Sequence, residues 1–329
     1  MQLSRLDKPI GTWLLLFPCL WSVALSTLPS HLPSLPLLAL FTAGAVLMRG
    51  AGCTINDCWD RRFDARVART RTRPLACGAV GLPQALAWLF VQLLGGLAVV
   101  LSFNVYTIAW SFASVPIIAV YPLMKRITHW PQLVLGLCFN WGALVGYTAN
   151  TALLNPAATL PLYAAGICWT LVYDTIYAHQ DTADDKQLGL HSTALYFHRH
   201  TAAILAAIAA LLLSALLALG RLQDMGLWYY GAVVGVAAHL VWQLRSLDVM
   251  DRAGCWRLFV SNRWIGWLLL LGIAVDRLMA ARDEEKERER AQLQEERRRQ
   301  VWGKTGYELL GELWKQWRTE QPLVEVFKR

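Results

Sequence analysis

The amino-acid sequence predicts an all-α polytopic membrane protein with nine transmembrane helices around a central cavity. Of its 329 residues, 56% are hydrophobic and only 16% are charged, a composition typical of chains that cross a bilayer several times. Apolar segments of about 17–23 residues recur through residues 1–280, and each can cross a hydrocarbon core of about 30 Å as a helix. Residues 281–329 are rich in Glu and Arg, and they are predicted to form a separate helical tail with an amphipathic, Trp-rich end.

The nine predicted spans are connected by short loops, and the third and fourth are separated by almost nothing. Several contain Gly, Ser or Pro, which membrane helices tolerate where they contact one another. The spans cover approximately residues 10–28, 35–55, 84–103, 105–123, 132–152, 160–178, 201–220, 227–245 and 258–280.

Lys and Arg residues are distributed unequally between the two sets of loops. The N-terminus and the loops after even-numbered spans carry nearly all of them, including the arginines between 61 and 73, whereas the opposite loops carry Arg221. By the positive-inside rule, the basic loops face the cytosol-equivalent side. Because these residues form no single solvated patch, the net charge of +8 does not indicate a nucleic-acid partner.

The first acidic cluster follows the second span directly. Read as the end of a helix, Asn56, Asp60 and Asp64 lie at positions i, i+4 and i+8, so their oxygens share one face. Oxygens spaced one turn apart suit a hard divalent cation such as Mg²⁺, which also binds phosphate oxygens. Taken alone, such a stretch is equally consistent with a solvated loop outside the membrane.

A second acidic cluster, Asp181 to Asp185, follows the sixth span. Its first and last carboxylates are again four residues apart, and the positive-inside rule places it on the same side as the first cluster. Four spans separate the two clusters, which indicates two related four-helix halves with a ninth helix closing the ring. Two clusters on one side favour a binding site over simple solvation.

Carboxylates, basic loops and a membrane cavity together require a substrate with a large negative head and an apolar body. An isoprenoid diphosphate has both. Mg²⁺ bridging the clusters to the diphosphate makes it a better leaving group, and basic side chains stabilise the charge that grows on it. The basic candidates are Arg69, Arg71, Arg73, Lys125, Arg126 and Lys186.

The motifs resemble those of the UbiA superfamily of intramembrane aromatic prenyltransferases. The resemblance extends from about residue 3 to 280 and rests on long stretches: Arg5-Leu-Asp-Lys-Pro-Ile-Gly, Asn56-Asp-x-x-Asp60-x-x-x-Asp64, Tyr121-Pro-Leu-Met-Lys125-Arg and Tyr173-Asp-Thr-Ile-Tyr-Ala-His-Gln-Asp181-x-x-Asp-Asp185. It implies a nine-helix fold and Mg²⁺ dependence. The members that it resembles most, those of mitochondrial ubiquinone biosynthesis, imply transfer of a polyprenyl group from polyprenyl diphosphate to the ring carbon ortho to the hydroxyl of 4-hydroxybenzoate.

The resemblance also implies roles for individual residues. The expected metal ligands are Asn56, Asp60, Asp181 and Asp185. The residues expected to support the metal site or approach the reacting diphosphate are Asp57, Asp64, Asp184, Tyr121 and Lys125. Charge complementarity adds Arg5 or Arg49 as the group that binds the carboxylate of the acceptor.

Other functions stay open at this stage. A related family member could use another acceptor, such as homogentisate or a fungal phenolic acid. A polytopic transporter or cation channel is a different class, although a conduction path needs polar groups along its depth and the carboxylates here gather at one face. A soluble all-helical prenyl synthase also uses Asp-rich motifs, but membrane-length spans exclude it.

The resemblance implies a multi-pass protein of the mitochondrial inner membrane, with its active face toward the matrix and with partners in ubiquinone biosynthesis. Met1 stands two residues before the resemblance begins. Three explanations therefore stay open. A targeting segment is missing from this chain, the targeting signal is internal, or the protein belongs to a bacterial inner membrane with its active face toward the cytoplasm. Isoprenoid length and oligomeric state do not follow from the sequence.

Overall fold

The computed structural model describes residues 2–67, 70–302, 311, 314 and 315, with the backbone alone for 281–291 and 297–302. The described residues form α-helices, short loops and one turn of 3₁₀ helix, with no strand among them, so the predicted all-α class is confirmed. In chain order the helices are α1 (Ile10–Leu25), α2 (Leu35–Asp64), α3 (Leu82–Leu101), α4 (Val105–Ala113), α5 (Val115–Ile127), α6 (Pro131–Asn140), α7 (Gly142–Thr151), α8 (Pro156–Ala178), α9 (Thr182–Leu188), α10 (Thr193–Phe197), α11 (Thr201–Leu222), α12 (Leu227–Arg245) and α13 (Arg252–Trp302).

Within the described part of the chain, six helical stretches are long and apolar enough to cross a membrane. The shorter helix α1 has 16 residues, and α6 and α7 have ten each. The polytopic membrane class is confirmed, whereas the number of nine crossings stays a prediction. The six stretches are Leu35–Asp64, Leu82–Leu101, Val105–Ile127, Thr193–Leu222, Leu227–Arg245 and Arg252–Ala280.

Both acidic clusters lie on helices. Helix α2 continues past the predicted membrane end at 55 to Asp64, so the first cluster forms its last turns, where Arg61 and Arg62 favourably oppose the negative end of the helix dipole. After α8, Asp181 precedes the short helix α9, which ends at Gly189. Gly189 has a φ of 66°, a left-handed conformation that glycine adopts without strain and that commonly terminates helices.

The core forms around α1, in which twelve of 16 residues are buried. Its Trp21 packs against Trp169 of α8, with ring centroids 5.1 Å apart. The two indole N–H groups reach α13: Trp21 donates to the carbonyl of Gly266 at 2.9 Å, and Trp169 donates to Asn262 Oδ1 at 2.9 Å. Buried indoles contribute a large apolar area and still need hydrogen-bond partners. These two indoles therefore join α1, α8 and α13, which are far apart in the sequence.

The chain divides into two compact units, Met1–Leu278 and Met279–Arg329. The first contains the core described above. The second is helical through Trp302, and its side chains at 292–296 are exposed. The predicted amphipathic piece, Val301–Trp317, lies outside the described residues except for the backbone of 301 and 302 and residues 311, 314 and 315.

Candidate active site

A cavity of about 810 Å³ lies beside the C-terminal end of α2, enclosed by α1, α2, α5, α6, α8, the start of α13 and the N-terminal segment 2–9. Seven of the predicted site residues line it. They are Arg5, Arg49, Asn56, Asp60, Arg73, Tyr121 and Lys125. The structure therefore brings residues of the first cluster and of the Tyr121–Lys125 stretch together on the wall of one cavity.

Asp57 lies behind this wall as the anchor of two arginines. It is 1% exposed, and its Oδ1 accepts a hydrogen bond from Arg5 Nη2 at 2.5 Å. Arg73 Nη1 lies 3.3 Å from the same oxygen and donates to Asp64 Oδ2 at 2.7 Å. Burial lowers the pKa of Arg5 and the Asp57 carboxylate raises it, with a net upward shift, so Arg5 stays charged.

Asp60 joins α2 to the end of α5. Its Oδ2 accepts a hydrogen bond from Lys125 Nζ, and its Oδ1 lies 3.7 Å from Arg126 Nη2. Arg126 also packs over the ring of Phe63, 5.3 Å from the centroid. These contacts place a carboxylate and an ammonium group together on the cavity wall, where both can meet an anionic substrate or its counter-ion.

The second cluster is connected to the same end of α5 through the backbone. The N–H of Asp185 donates to the carbonyl of Asp181 at 2.8 Å, and the N–H of Leu190 donates to that of Asp185 at 2.9 Å. The next residue, His191, donates its N–H to the carbonyl of Lys125 at 2.8 Å. The two clusters are therefore fixed to one element, α5, as convergence on one site requires.

The remaining predicted residues lie off the cavity wall or outside the described chain. Asp57 and Asp64 are buried and do not line the cavity, and Arg71, Arg126 and Lys186 are exposed. Asp181, Asp184 and Asp185 lie at or within α9, next to the wall residue Gln180. Arg69 is outside the described residues.

The carboxylates suit a hard cation. In the described part of the chain, no three acidic, His or Cys side chains form a ready metal-binding group, and Asp57 and Asp60 of the first cluster pair with Arg5 and Lys125. One buried oxygen each of Asp57 and Asp60 nonetheless has no hydrogen-bond partner among the described residues. Buried, unsatisfied carboxylate oxygens beside Asn56 match the oxygen ligands that Mg²⁺ prefers, so the residues fit this ion.

Several polar wall residues have no role among the sequence predictions, and they include Lys8, Asp174, Tyr177 and Gln180. Asp174 could have been found from the sequence. It is a carboxylate inside an apolar span, which is rarely tolerated without a function, and it precedes Asp181 by seven residues, two helical turns. The others carry no comparable signal in the sequence.

Arg49 occupies a narrow place on the wall. Its Cζ lies 5.9 Å from the centroid of the Phe139 ring, a cation–π contact. On the other side is Gly11, where a Cβ would lie 2.4 Å from Arg49 Nε. Among the described carboxylates none lies within ion-pair distance of this guanidinium, in contrast to Arg5 and Arg73.

An apolar groove of about 380 Å³ continues from the cavity and is lined by residues of all seven helices from α1 to α7. Nearly all of its wall is aliphatic or aromatic. Seven residues line both spaces: Leu15, Met48, Leu93, Val115, Ile118, Cys138 and Phe139. The charged cavity and the apolar groove therefore meet, as a substrate with a polar head and a long apolar body requires.

Comparison with known proteins identifies relatives of this chain. The model of the UbiA prenyltransferase family matches residues 15–273. The mitochondrial 4-hydroxybenzoate polyprenyltransferase of Rattus norvegicus is 49% identical over 285 residues, 87% of this chain and 76% of that protein. The Homo sapiens protein of the same name is 47% identical over 286 residues, 87% and 77% of the two chains.

Solved structures share the fold. A UbiA homologue from Aeropyrum pernix K1 in its apo form superposes with a TM-score of 0.68 at 24% identity, covering 81% of this chain and 98% of that one. A UbiA homologue from Archaeoglobus fulgidus bound to GPP and Mg²⁺ gives 0.65 at 16% identity, covering 84% and 99%. The family model spans most of the chain, and the relatives cover nearly nine tenths of it at close to half identity. The resemblance found in the motifs is thereby confirmed: the chain belongs to the UbiA prenyltransferase family and is a prenyltransferase.

Proposed function

We propose that this prenyltransferase moves a polyprenyl group from polyprenyl diphosphate to the ring carbon ortho to the hydroxyl of 4-hydroxybenzoate, with Mg²⁺ as cofactor. The observation that carries the proposal is the union of a cavity bearing Asp60, Lys125 and Arg73 with an apolar groove. The names of relatives at 47–49% identity support the choice of acceptor.

The diphosphate head belongs at the charged end. When bound, Mg²⁺ neutralises the diphosphate and makes it a better leaving group. Four residues are proposed to bind Mg²⁺, with Asp184 in support: Asn56, Asp60, Asp181 and Asp185. Asp60 Oδ1, which is buried and accepts no hydrogen bond from the described residues, and the connection of both clusters to α5 support this assignment.

Lys125 and Arg73 are proposed to donate hydrogen bonds to the departing diphosphate, with Tyr121 beside it on the wall. The allylic C–O bond breaks with its electron pair remaining on the diphosphate, and the ortho carbon of the phenol forms the new C–C bond. The ring proton then leaves to a carboxylate such as Asp174 or to the released diphosphate. The faces of Phe139 and Tyr173 can stabilise the allylic cation and exclude water.

Arg49 is the proposed ligand of the acceptor carboxylate. Both Arg5 and Arg49 line the cavity, but Arg5 already pairs with Asp57, whereas no described carboxylate pairs with Arg49. A guanidinium on a cavity wall with no described carboxylate within ion-pair distance is suited to bidentate binding of a carboxylate. The charge at the para position of 4-hydroxybenzoate would then fix the ring against the donor.

The Gly11→Ala variant tests this role, because its methyl group must displace the Arg49 guanidinium. We expect the KM for 4-hydroxybenzoate to rise about 10- to 100-fold, the cost of one charge-assisted hydrogen bond. The KM for the diphosphate should change little. Steady-state kinetics with each substrate varied separately provide the measurement, with Gly235→Ala as control because a Cβ there makes ordinary contacts. A rise in both KM values would contradict an acceptor-specific role.

The Gly44→Phe variant tests the groove. Gly44 lines it, and only Val99 lies near the position of an added Cβ, at 3.3 Å. A phenyl ring should block the groove, so kcat/KM for long-chain donors should fall at least about tenfold while geranyl diphosphate remains a substrate. Competition between the two donors measures the selectivity. Gly231→Phe, at an exposed and open position of α12, serves as control, and an equal loss for both donors would show that the groove does not hold the chain.

We further propose that the protein resides in the mitochondrial inner membrane with the cavity toward the matrix, and that it works beside partners in ubiquinone biosynthesis. The mitochondrial relatives and the distribution of Lys and Arg among the loops support this. Residues 1–280 are proposed as the catalytic membrane domain and 281–329 as an accessory tail.

The function is tested with purified protein in liposomes. The reaction contains geranyl or longer polyprenyl diphosphate, 4-hydroxybenzoate and Mg²⁺, with EDTA in a parallel reaction, and products are identified by mass spectrometry and NMR. We expect an ortho-prenylated 4-hydroxybenzoate that is absent with EDTA. If only homogentisate gave a product, the proposed acceptor would be wrong. If no phenol gave a product, the proposal would be contradicted and a transporter would be favoured.

A further inference from the structure

Gln92 is a polar residue inside a membrane helix that the chemistry above does not use. It lies on α3, is 2% exposed and does not line either cavity described above. Its Nε2 donates to Ser4 Oγ at 3.0 Å, and its Oε1 accepts from Thr54 Oγ1 at 3.3 Å. A buried amide within a span is costly unless it is hydrogen-bonded, and it usually has a function.

The partner of Gln92 is the N-terminal segment 2–9. Ser4 is 4% exposed, and its Oγ accepts a second hydrogen bond from Trp88 Nε1 at 2.8 Å. The preceding residue, Leu3, belongs to a small apolar cluster with Leu75 and Ala85 that is separate from the main core. Two neighbouring side chains therefore fix this segment to α3 from outside the bundle.

Arg5 comes directly after this attachment and adopts a left-handed backbone, with φ of 50°. Residues other than glycine adopt this conformation only where the surroundings hold it in place. From there the Arg5 guanidinium reaches Asp57 and the cavity wall. The attachment of Ser4 on one side and the ion pair with Asp57 on the other can hold such a turn.

We propose that Gln92, together with Ser4 and Trp88, is a positioning residue for Arg5: by fixing the N-terminal segment to α3, it holds the guanidinium at the cavity. The inference rests on the proposed function, because it assigns Arg5 a part in the same reaction. A Leu at position 92 would fill space between α2 and α3, but it could not hold the hydroxyl of Ser4.

A double-mutant cycle tests the inference. We expect Gln92→Leu and Arg5→Ala each to lower kcat by about 10- to 100-fold, the size expected when a catalytic group is misplaced. Because both act through Arg5, the double variant should be no worse than Arg5→Ala alone. Gln243→Leu is the control, because it makes the same change in α12, where Gln243 donates hydrogen bonds to Ser261 and Leu258. In the double variant with Arg5→Ala, the fold-losses of kcat of the two single variants should multiply.

A second measurement does not depend on activity. Amide hydrogen exchange should be faster in segment 2–9 of Gln92→Leu, where Arg5 donates its N–H to Gln2 and Lys8 donates to Arg5, while α13 is unchanged. Trp88→Phe, which keeps an aromatic side chain but replaces the indole with a smaller phenyl group and removes its N–H donor, should produce a smaller change in the same direction. Unchanged exchange, wild-type kcat in Gln92→Leu, or multiplied losses in the double variant would overturn the inference. A wild-type protein that forms no product would instead refute the proposed function, and the exchange result would still decide the attachment.

Discussion

Asp60→Asn should reduce kcat at least about 10³-fold while leaving the protein folded, because it removes a negative charge at the centre of the site. The carboxylate binds Lys125 and presents a buried oxygen that accepts no hydrogen bond within the described chain, and a neutral amide cannot supply its negative charge. Single-turnover kinetics at saturating donor and acceptor separate this loss from weaker substrate binding.

Asp251→Asn is the matched control. Asp251 pairs with Arg257 at 3.3 Å, and both side chains are well exposed, so the same substitution should leave kcat and stability unchanged. If Asp60→Asn retained wild-type turnover with Mg²⁺, the assignment of Asp60 to the metal and the diphosphate would be wrong.

Asp57→Leu should lower the stability of the protein as well as its activity. Its carboxylate is 1% exposed and is shared by Arg5 and Arg73, so its removal leaves the partly buried Arg5 guanidinium without a counter-ion and leaves Arg73 paired with Asp64 alone. Breaking such a pair costs about 3 kcal/mol. For a chain of this size, the midpoint of thermal unfolding in detergent should fall by roughly 5–10 °C.

The fall in the midpoint of thermal unfolding distinguishes Asp57, the anchor of two arginines, from Asp60, the proposed metal ligand. Asp60, with a side chain 13% exposed and two basic neighbours at the cavity, should tolerate Asn with a much smaller loss of stability. Equal midpoints for Asp57→Leu and the wild-type protein would contradict the role of Asp57 as the anchor of the two arginines.

Several features of the fold follow from the sequence because they depend on local rules. Apolar length predicts helices, and spacing of four residues places Asn56, Asp60 and Asp64 on one face of α2, which continues as a helix to Asp64. The number of crossings does not follow in the same way. Helices such as α6 and α7, ten residues each, meet at Trp141, and length alone cannot tell whether such a pair crosses the bilayer.

The candidate site follows only in part, because pairing within it is long-range. Spacing groups Asp64 with Asn56 and Asp60, and the family resemblance gives Asp57 a supporting role, whereas the structure pairs both aspartates with Arg73. The sequence leaves Arg5 and Arg49 equivalent, and only the contact between Arg5 and Asp57 distinguishes them. The groove is built from five or more helices that are far apart in the chain, so no local pattern reveals its size.

Binding of Mn²⁺ in place of Mg²⁺ tests most directly whether the two acidic clusters serve one substrate. Electron paramagnetic resonance of the protein with an inert thiolo analogue of geranyl diphosphate reports both the bound ion and its coupling to phosphorus. We expect bound Mn²⁺ with phosphorus coupling in the wild-type protein, and loss of this signal in both Asp60→Asn and Asp181→Asn. An unchanged signal in Asp181→Asn would contradict a single site shared by the two clusters.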